Sequence, residues 1–210
     1  MLGGIVRFAV QIGESALAAV GVRAGTEEPA YTSEPLADGV EIRRYGPRIA
    51  AQTTVAAATE TARSEGFRRL AGYIFGRNHT AQRIAMTAPV AQSADRRGQR
   101  IAMTAPVAQT GADDGSTIRF FMPAKWTMQD LPTPDDDRVT LVEVPAETLA
   151  VLRFTGDRGA DSVAARTRQL TDTLRATGFA PTGAPTAWFY DPPWTLPFLR
   201  RNEVAVPIDA

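Results

Sequence analysis

The feature that most constrains this chain is a plan written twice. VEIRRYGPRIAAQTTV (40–55) reads as two strands joined at Gly46-Pro47, with Ile49, Ala51, Thr53 and Val55 alternating onto one face of the second. A helical stretch follows in which Phe67, Leu70, Ala71 and Ile74 keep i, i+3, i+4, i+7 spacing. Gly76 then sits where a left-handed residue stops a helix. The strand IRFFMP (118–123) completes the unit, with Ile118, Phe120 and Met122 on one face. The second half replays this. VTLVEVPAETLAVLRFTG (139–156) is again strand, turn at Pro145, strand. A helix puts Val163, Arg166, Thr167, Leu170 and Leu174 on one face and stops at Gly178, with Phe179 placed to pack back. After the loop WFYDPPWTLPFLRRN (188–202) comes the strand EVAVPI (203–208), in which Val204 and Val206 share a face. FFMP (120–123) and VAVP (204–207) end the two units alike.

Either unit alone leaves a strand face and a helix stripe uncovered. Two of them can pair into one curved antiparallel sheet with both helices outside, an α+β arrangement. A sheet curled that far is expected to enclose a cavity or groove between the halves, where ligands commonly sit. Composition narrows the function. With 23 basic and 23 acidic residues there is no global attraction to nucleic-acid phosphate. The absence of Cys removes disulfides, thiolate metal sites and Cys nucleophiles, and a single His removes His-rich metal sites. Lys125 is the one lysine, so the arginine excess reads as base-composition bias and not as function.

Residues 1–22 are the most apolar stretch, but Gln11 and Glu14 interrupt them. That suits neither a clean signal peptide nor a spanning helix. Leu2, Val6, Ala9, Val10, Leu17 and Val20 recur at helical spacing, so an amphipathic helix is expected, joined by the polar linker GTEEPAYTSEP (25–35). Three assignments stay open for this helix: docked on its own domain, laid on a membrane or partner, or cleaved as a signal. A cytoplasmic protein is the expectation, with membrane association or secretion following from the other two. Residues 1–35 thus form one unit, and 36–210 a domain of two repeats, about 36–130 and 131–210.

QRIAMTAPVAQ occurs at 82–92 and again at 99–109, separated by SADRRG. The expected form is a β-hairpin, each copy an edge strand or broken at Pro89 and Pro106. Ile84 and Met86, and likewise Ile101 and Met103, are two apart and expected to face the same way. These methionines are core filler, or line a pocket for a large flat apolar ligand, or ligate its metal.

Together VEIRRYGPRIAAQTTV, FRRLAGYIFGRN (67–78), IAMTAPV (84–90 and 101–107), IRFFMPAKW (118–126) and YDPPWTLPFLRRNEVAVPI (190–208) resemble, in order, the SOUL haem-binding family from about Val40 to Ile208. The resemblance implies a twisted antiparallel β-barrel of two βαββ-type repeats with two flanking helices. It also implies binding of haem or a related tetrapyrrole in a largely apolar groove, and kinship with bacterial effector-binding domains. Relatives with a His just before the Tyr of EIRRYGP offer it as an axial ligand; here that position is Arg44.

Haem needs apolar walls, donors for two propionates and, optionally, an axial His, Met, Tyr or Cys. Without Cys the group is expected to be held non-covalently. His79, in the polar GRNHTAQ, is either a solvated residue or an axial donor, and Tyr45 and Tyr73 are alternatives. Arg43, Arg44, Arg48, Lys125, Arg200 and Arg201 are candidates for the propionates. The Pro-stiffened loop with Trp188, Phe189, Tyr190, Trp194 and Phe198 is the wall candidate, or a ligand-free cap. The site set is therefore Arg44, Tyr45, Arg48, Tyr73, Met86, Met103, Trp194 and Phe198. Its expected role is a non-enzymatic carrier, buffer or sensor. The alternatives are a hydrolase of small apolar electrophiles using a burial-raised Glu203, and a membrane-surface module anchored by residues 1–22.

Overall fold

The computed structural model describes residues 27–94, 115–192 and 194–209. Strand β1 (Tyr31–Pro35) leads into β2 (Val40–Tyr45), β3 (Arg48–Val55), helix α1 (Thr59–Ile74), β4 (Val90–Ala94) and β5 (Ser116–Phe121). The second repeat is β6 (Thr140–Val144), β7 (Glu147–Phe154), helix α2 (Ala160–Ala176), β8 (Thr186–Phe189) and β9 (Asn202–Pro207). All nine strands form one antiparallel sheet in the order β1-β2-β7-β9-β8-β4-β5-β3-β6. Set β1 aside and the order is two-fold symmetric about the β8–β4 pair. The strands joined at Gly46-Pro47 and at Pro145 do not pair with each other. Instead Tyr45 lies opposite Glu147 and Arg48 opposite Val144, so each repeat's first strand pairs with the other's second.

Two helix-side cores follow from the alternation seen in sequence. Ala51, Val55, Ile118, Phe120 and Met122 pack under α1 with Leu70 and Ile74. Ala150, Leu152, Phe154, Val204 and Val206 pack under α2 with Leu170 and Leu174. Both helices end as the glycines require. Gly76 has φ +109 and Gly178 φ +83. The N–H of Arg77 donates to the Gly72 carbonyl at 2.9 Å, and that of Phe179 to Leu174 at 2.9 Å, the six-to-one bond of a Schellman cap. Phe179 packs back on the second core, as its position after Gly178 predicts.

The sheet is curled. Strands β2 and β8 are three places apart, about 14 Å in a flat sheet, yet the rings of Tyr45 and Trp188 are 5.6 Å apart, edge to face. Their contact closes a third core on the concave side with Phe121, Leu149, Val151 and Tyr190.

Several expectations change. Residues 31–35, read as linker, form edge strand β1 along β2. Each helix is followed by two strands, because 186–189, of which 188–189 read in the sequence as the start of a loop, pair with both β4 and β9. The copy of the repeated segment at 82–92 breaks at Pro89, the second of the two expected forms, and is no edge strand: its ladder residues from Val90 are flanked by β5 and β8. Ile84 is buried while Met86 is 36% exposed, so the two do not share a face. The second copy with Met103, and residues 1–22, lie outside the described residues.

Helix α1 approaches β5 at Gly66, where an added Cβ would stand 2.8 Å from Cγ1 of the fully buried Ile118. Ala ordinarily gains about 1 kcal/mol over Gly in a helix, but overpacking costs about 1–3 kcal/mol. Gly66→Ala is therefore expected to lower stability in urea unfolding, against its helix propensity.

Candidate functional site

The concave face is built around Glu203, which the alternation of β9 turns inward and whose exposure is 0%. Both carboxylate oxygens are saturated. Oε2 accepts from Arg43 Nη1 at 2.8 Å and the Tyr190 hydroxyl at 2.7 Å. Oε1 accepts from Arg43 Nη2 at 3.0 Å and Arg201 Nε at 2.9 Å. Arg43 also pairs with Glu41, and Arg201 holds Glu28 through Nη1 at 3.0 and 3.1 Å. The Arg201 guanidinium lies 3.8 Å from the Tyr190 ring centre, and that of Arg43 4.5 Å from Tyr31.

Burial alone would raise the Glu203 carboxyl, but the hydrogen bonds and charge of Arg43, with Arg201 and Tyr190, outweigh it and hold the carboxyl below its ordinary value. Burial, then Glu203, pushes the Tyr190 phenol far up. Burial raises Tyr45 to about 12, partly opposed by Arg43. A hydrolytic general acid of raised pKa is thus not what Glu203 provides. It is ionised, fully paired and closed to substrate, which corrects the enzymatic alternative at that residue.

The expected porphyrin-sized hollow between the halves is filled by this cluster and by Tyr45, Phe121 and Trp188. What remains beside them is about 50 Å³, bounded by Phe121, Trp188, Val144 and Glu147, against about 300–1,000 Å³ for ordinary ligand pockets. A larger hollow, about 800 Å³, is a groove between α1 and residues 134–138. Its walls carry Glu65, Arg69, Arg77, Asp136 and Arg138, an ionic lining unsuited to a flat apolar ring.

The structure scatters the site residues expected from sequence. Tyr45 and Arg48 are on the concave face. Arg44 is exposed and pairs with Glu34. Tyr73, in the last turn of α1, is buried at the wall of the groove, its hydroxyl donating to the Pro132 carbonyl at 2.9 Å, and burial raises it to about 12. Met86 is exposed and lines neither of these two hollows. His79 is exposed, 3.9 Å from Asp135 beside the ionic groove, and Lys125 lies over Trp126. Trp188, Phe189 and Tyr190 are buried. Among the described residues no group of three or more His, Cys, Asp or Glu is placed to hold a metal ion. Nor is any described helix long and apolar enough to cross a membrane.

The tail loop between β8 and β9 carries large exposed apolar side chains. Trp194 is 62% exposed, Leu196 45%, Phe198 68% and Leu199 37%. Beneath it stand three arginines. Arg200 Nε donates to the Thr195 carbonyl at 2.8 Å, Arg158 Nη1 to Asp191 at 3.1 Å, and Arg63 Nη1 to the Arg158 carbonyl at 3.1 Å. Arg63 and Arg158 both lie over the Phe189 ring, at 4.8 and 5.9 Å. Burial first, then the charges of Arg63 and Arg200, lowers the pKa of Arg158. Arg63, on α1, and Arg158, just before α2, were not among the sequence candidates. Nothing local marks them; chain reversal at the pseudo-dyad brings them to one place.

A sequence model described as SOUL heme-binding protein matches residues 26–207. No curated protein matches the chain. Among solved structures, the EcmrR–DNA complex in EcmrR-RPo is similar at 10% identity and TM-score 0.58, over 100% of this chain and 65% of that one. The EcmrR C-terminal domain is similar at 10% identity and TM-score 0.59, over 85% and 98%. A hydrolase from Listeria innocua is similar at 10% identity and TM-score 0.50, over 89% and 94%. At such identity only the fold is shared, and the chain spans 65% of the full EcmrR chain it matches.

Replacing Glu203 by Gln leaves Arg43 and Arg201 facing a neutral group, and breaking a buried pair costs about 3–5 kcal/mol. Because the folded carboxyl lies below its unfolded value, its contribution is complete above about pH 4.5 and fades as pH falls through that region. Urea unfolding across pH should therefore show wild type losing stability in acid, with a flatter and lower curve for Glu203→Gln.

Proposed function

Since the chain belongs to the SOUL haem-binding family, we propose that it binds a tetrapyrrole dicarboxylate, haem included, on the tail loop and not inside the curled sheet. The observation that carries this reading is the pairing of four exposed large apolar side chains, Trp194, Leu196, Phe198 and Leu199, with Arg63, Arg158 and Arg200 below them. A porphyrin offers the complement: a flat apolar face with two carboxylates at one edge. Guanidinium groups suit carboxylates; Arg63, which also pairs with Glu60, and Arg158 stand over the Phe189 ring at the root of the loop. Stiff aromatic side chains lose little entropy on ordering.

Iron, when present, would bring its redox and axial chemistry with it, while the chain's residues hold the ring and its carboxylates. The one Tyr described on the loop, Tyr190, is buried with its hydroxyl committed to Glu203, and His79 is exposed beside Asp135 at the ionic groove. The reading is therefore a non-covalent carrier, buffer or sensor, for which iron is not the handle. The saturated Glu203 supports binding over catalysis.

Absorption titration of the full chain with haem should give a saturable Soret shift, and metal-free protoporphyrin should compete with it. Losing about 60 Å² of ring contact costs about 1.5 kcal/mol, so Trp194→Ala and Phe198→Ala should each weaken binding roughly tenfold. Arg158→Gln should weaken it and reduce its salt dependence, and His79→Ala should leave the spectrum unchanged. Absence of a Soret shift, or full affinity in Trp194→Ala and Phe198→Ala, overturns the reading.

A further inference from the structure

Residues 27–35 are an addition to the two-fold plan. The pseudo-dyad relates β2 to β6, yet β6 has no outer neighbour among the described residues to match β1. The segment before β6 runs to the end of α1 instead. There Pro134 bridges Asn78, and the Thr133 carbonyl accepts from the His79 N–H at 3.1 Å. All five residues of β1 are exposed, and none belongs to the three buried cores. An edge strand with so little burial opens more readily than the sheet it lies on.

Two carboxylates and a ring hold this segment down. Glu27 Oε1 accepts from the Ala124 N–H at 2.7 Å. Glu28 gives both oxygens to Nη1 of Arg201, at 3.0 and 3.1 Å. The Arg201 side chain is 12% exposed; its Nε is committed to Glu203, and its guanidinium lies on the Tyr190 ring. Three residues after Glu28, the Tyr31 ring covers the guanidinium of Arg43 and leans on Tyr45, ring centres 5.1 Å apart. Arg43 and Arg201 bond the same Glu203 carboxylate, so Glu28 and Tyr31 are received by neighbouring guanidinium groups. With the segment lifted, Nη1 of Arg201 loses its acceptor and the face of Arg43 is bare. A guanidinium largely withdrawn from water is costly without an anion, and an open cation face attracts an aromatic ring. One small molecule with a carboxylate beside an aromatic ring meets both demands.

We propose that Glu28 and Tyr31 occupy, from within the chain, a binding site for an aromatic carboxylate of phenylacetate size, and that the ligand enters by displacing them. Arg201, on the Tyr190 ring, takes the carboxylate; Arg43 and Tyr45 take the ring. The tethered pair competes at an effective concentration in the millimolar range, so residues 27–35 set the threshold for binding. This site is independent of the tetrapyrrole surface on the tail loop.

The probe is sodium phenylacetate on the full chain near pH 7, read as thermal midpoint against sodium chloride at matched ionic strength. Wild type should show a saturable rise, and Glu28→Gln should reach half-saturation at a concentration at least tenfold lower. A purely structural Glu28 predicts a less stable variant with no gain in affinity. Should Glu28→Gln not fold, Tyr31→Ala, at an exposed residue, should lower half-saturation about fivefold. Phenylacetamide, without the charge, should give no rise, and cyclohexylacetate, without the π face, should bind about fivefold more weakly than phenylacetate. Amide exchange across Tyr31–Pro35 should quicken in wild type at saturating phenylacetate. Trp194→Ala should keep the response, which separates this site from the tail loop. Equal midpoints in phenylacetate and chloride, in wild type or in Glu28→Gln, overturn the proposal. So does equal half-saturation in the two proteins, unchanged exchange over β1, or loss of the response in Trp194→Ala.

Discussion

The Glu203 carboxylate, with Arg43, Arg201 and Tyr190 around it, is the interaction on which the rest of this structure depends. It binds β2 of the first repeat to β9 of the second, across 160 residues of chain. Through Arg201 it holds Glu28, and so the segment leading into β1. It also fixes both ends of the tail loop: Tyr190 bonds Glu203, and the N–H of Arg201 donates to Asp191 Oδ2 at 2.6 Å. Charges withdrawn from water are costly unless every donor and acceptor is met. Here both oxygens of the carboxylate are fully used, so the cluster stands as structure and not as an acid waiting for substrate.

The position proposed for the ligand follows from that. A curled sheet of two repeats would enclose a hollow if its concave side chains were small. Arg43, Tyr45, Phe121, Trp188, Tyr190 and Glu203 are large, and they leave only a small void. Large apolar side chains instead lie exposed on a loop whose ends are tied down by hydrogen bonds. Three arginines gathered by the meeting of α1, the turn before α2 and the loop itself give that surface a sign.

Much of this was legible in the sequence, and the boundary of legibility is physical. Period and punctuation act locally, so the helix faces at Leu70 and Leu174, the caps at Gly76 and Gly178 and the strand faces at Ile118 and Val204 could be read directly. The two-fold repeat then followed, because neither unit can cover its own faces. Pairing partners are not local. Residues 31–35 look like a linker until Tyr31 finds Tyr45, and 188–189 look like the start of a loop until 186–189 find β4 and β9. The RR and RRN runs could equally have been solvated. Whether Arg43 is buried or Arg44 exposed turns on a one-residue alternation that only the concave face decides.

The most direct test of the account compares the three tryptophan indole N–H signals during titration with metal-free protoporphyrin. Trp194 is exposed on the tail loop, Trp188 is buried on the concave face, and Trp126 lies by α1's core. Ring-current shifts concentrated on Trp194, with Trp188 unmoved, are the predicted result. A large shift at Trp188 with Trp194 unmoved would put the ring inside the sheet and contradict the account.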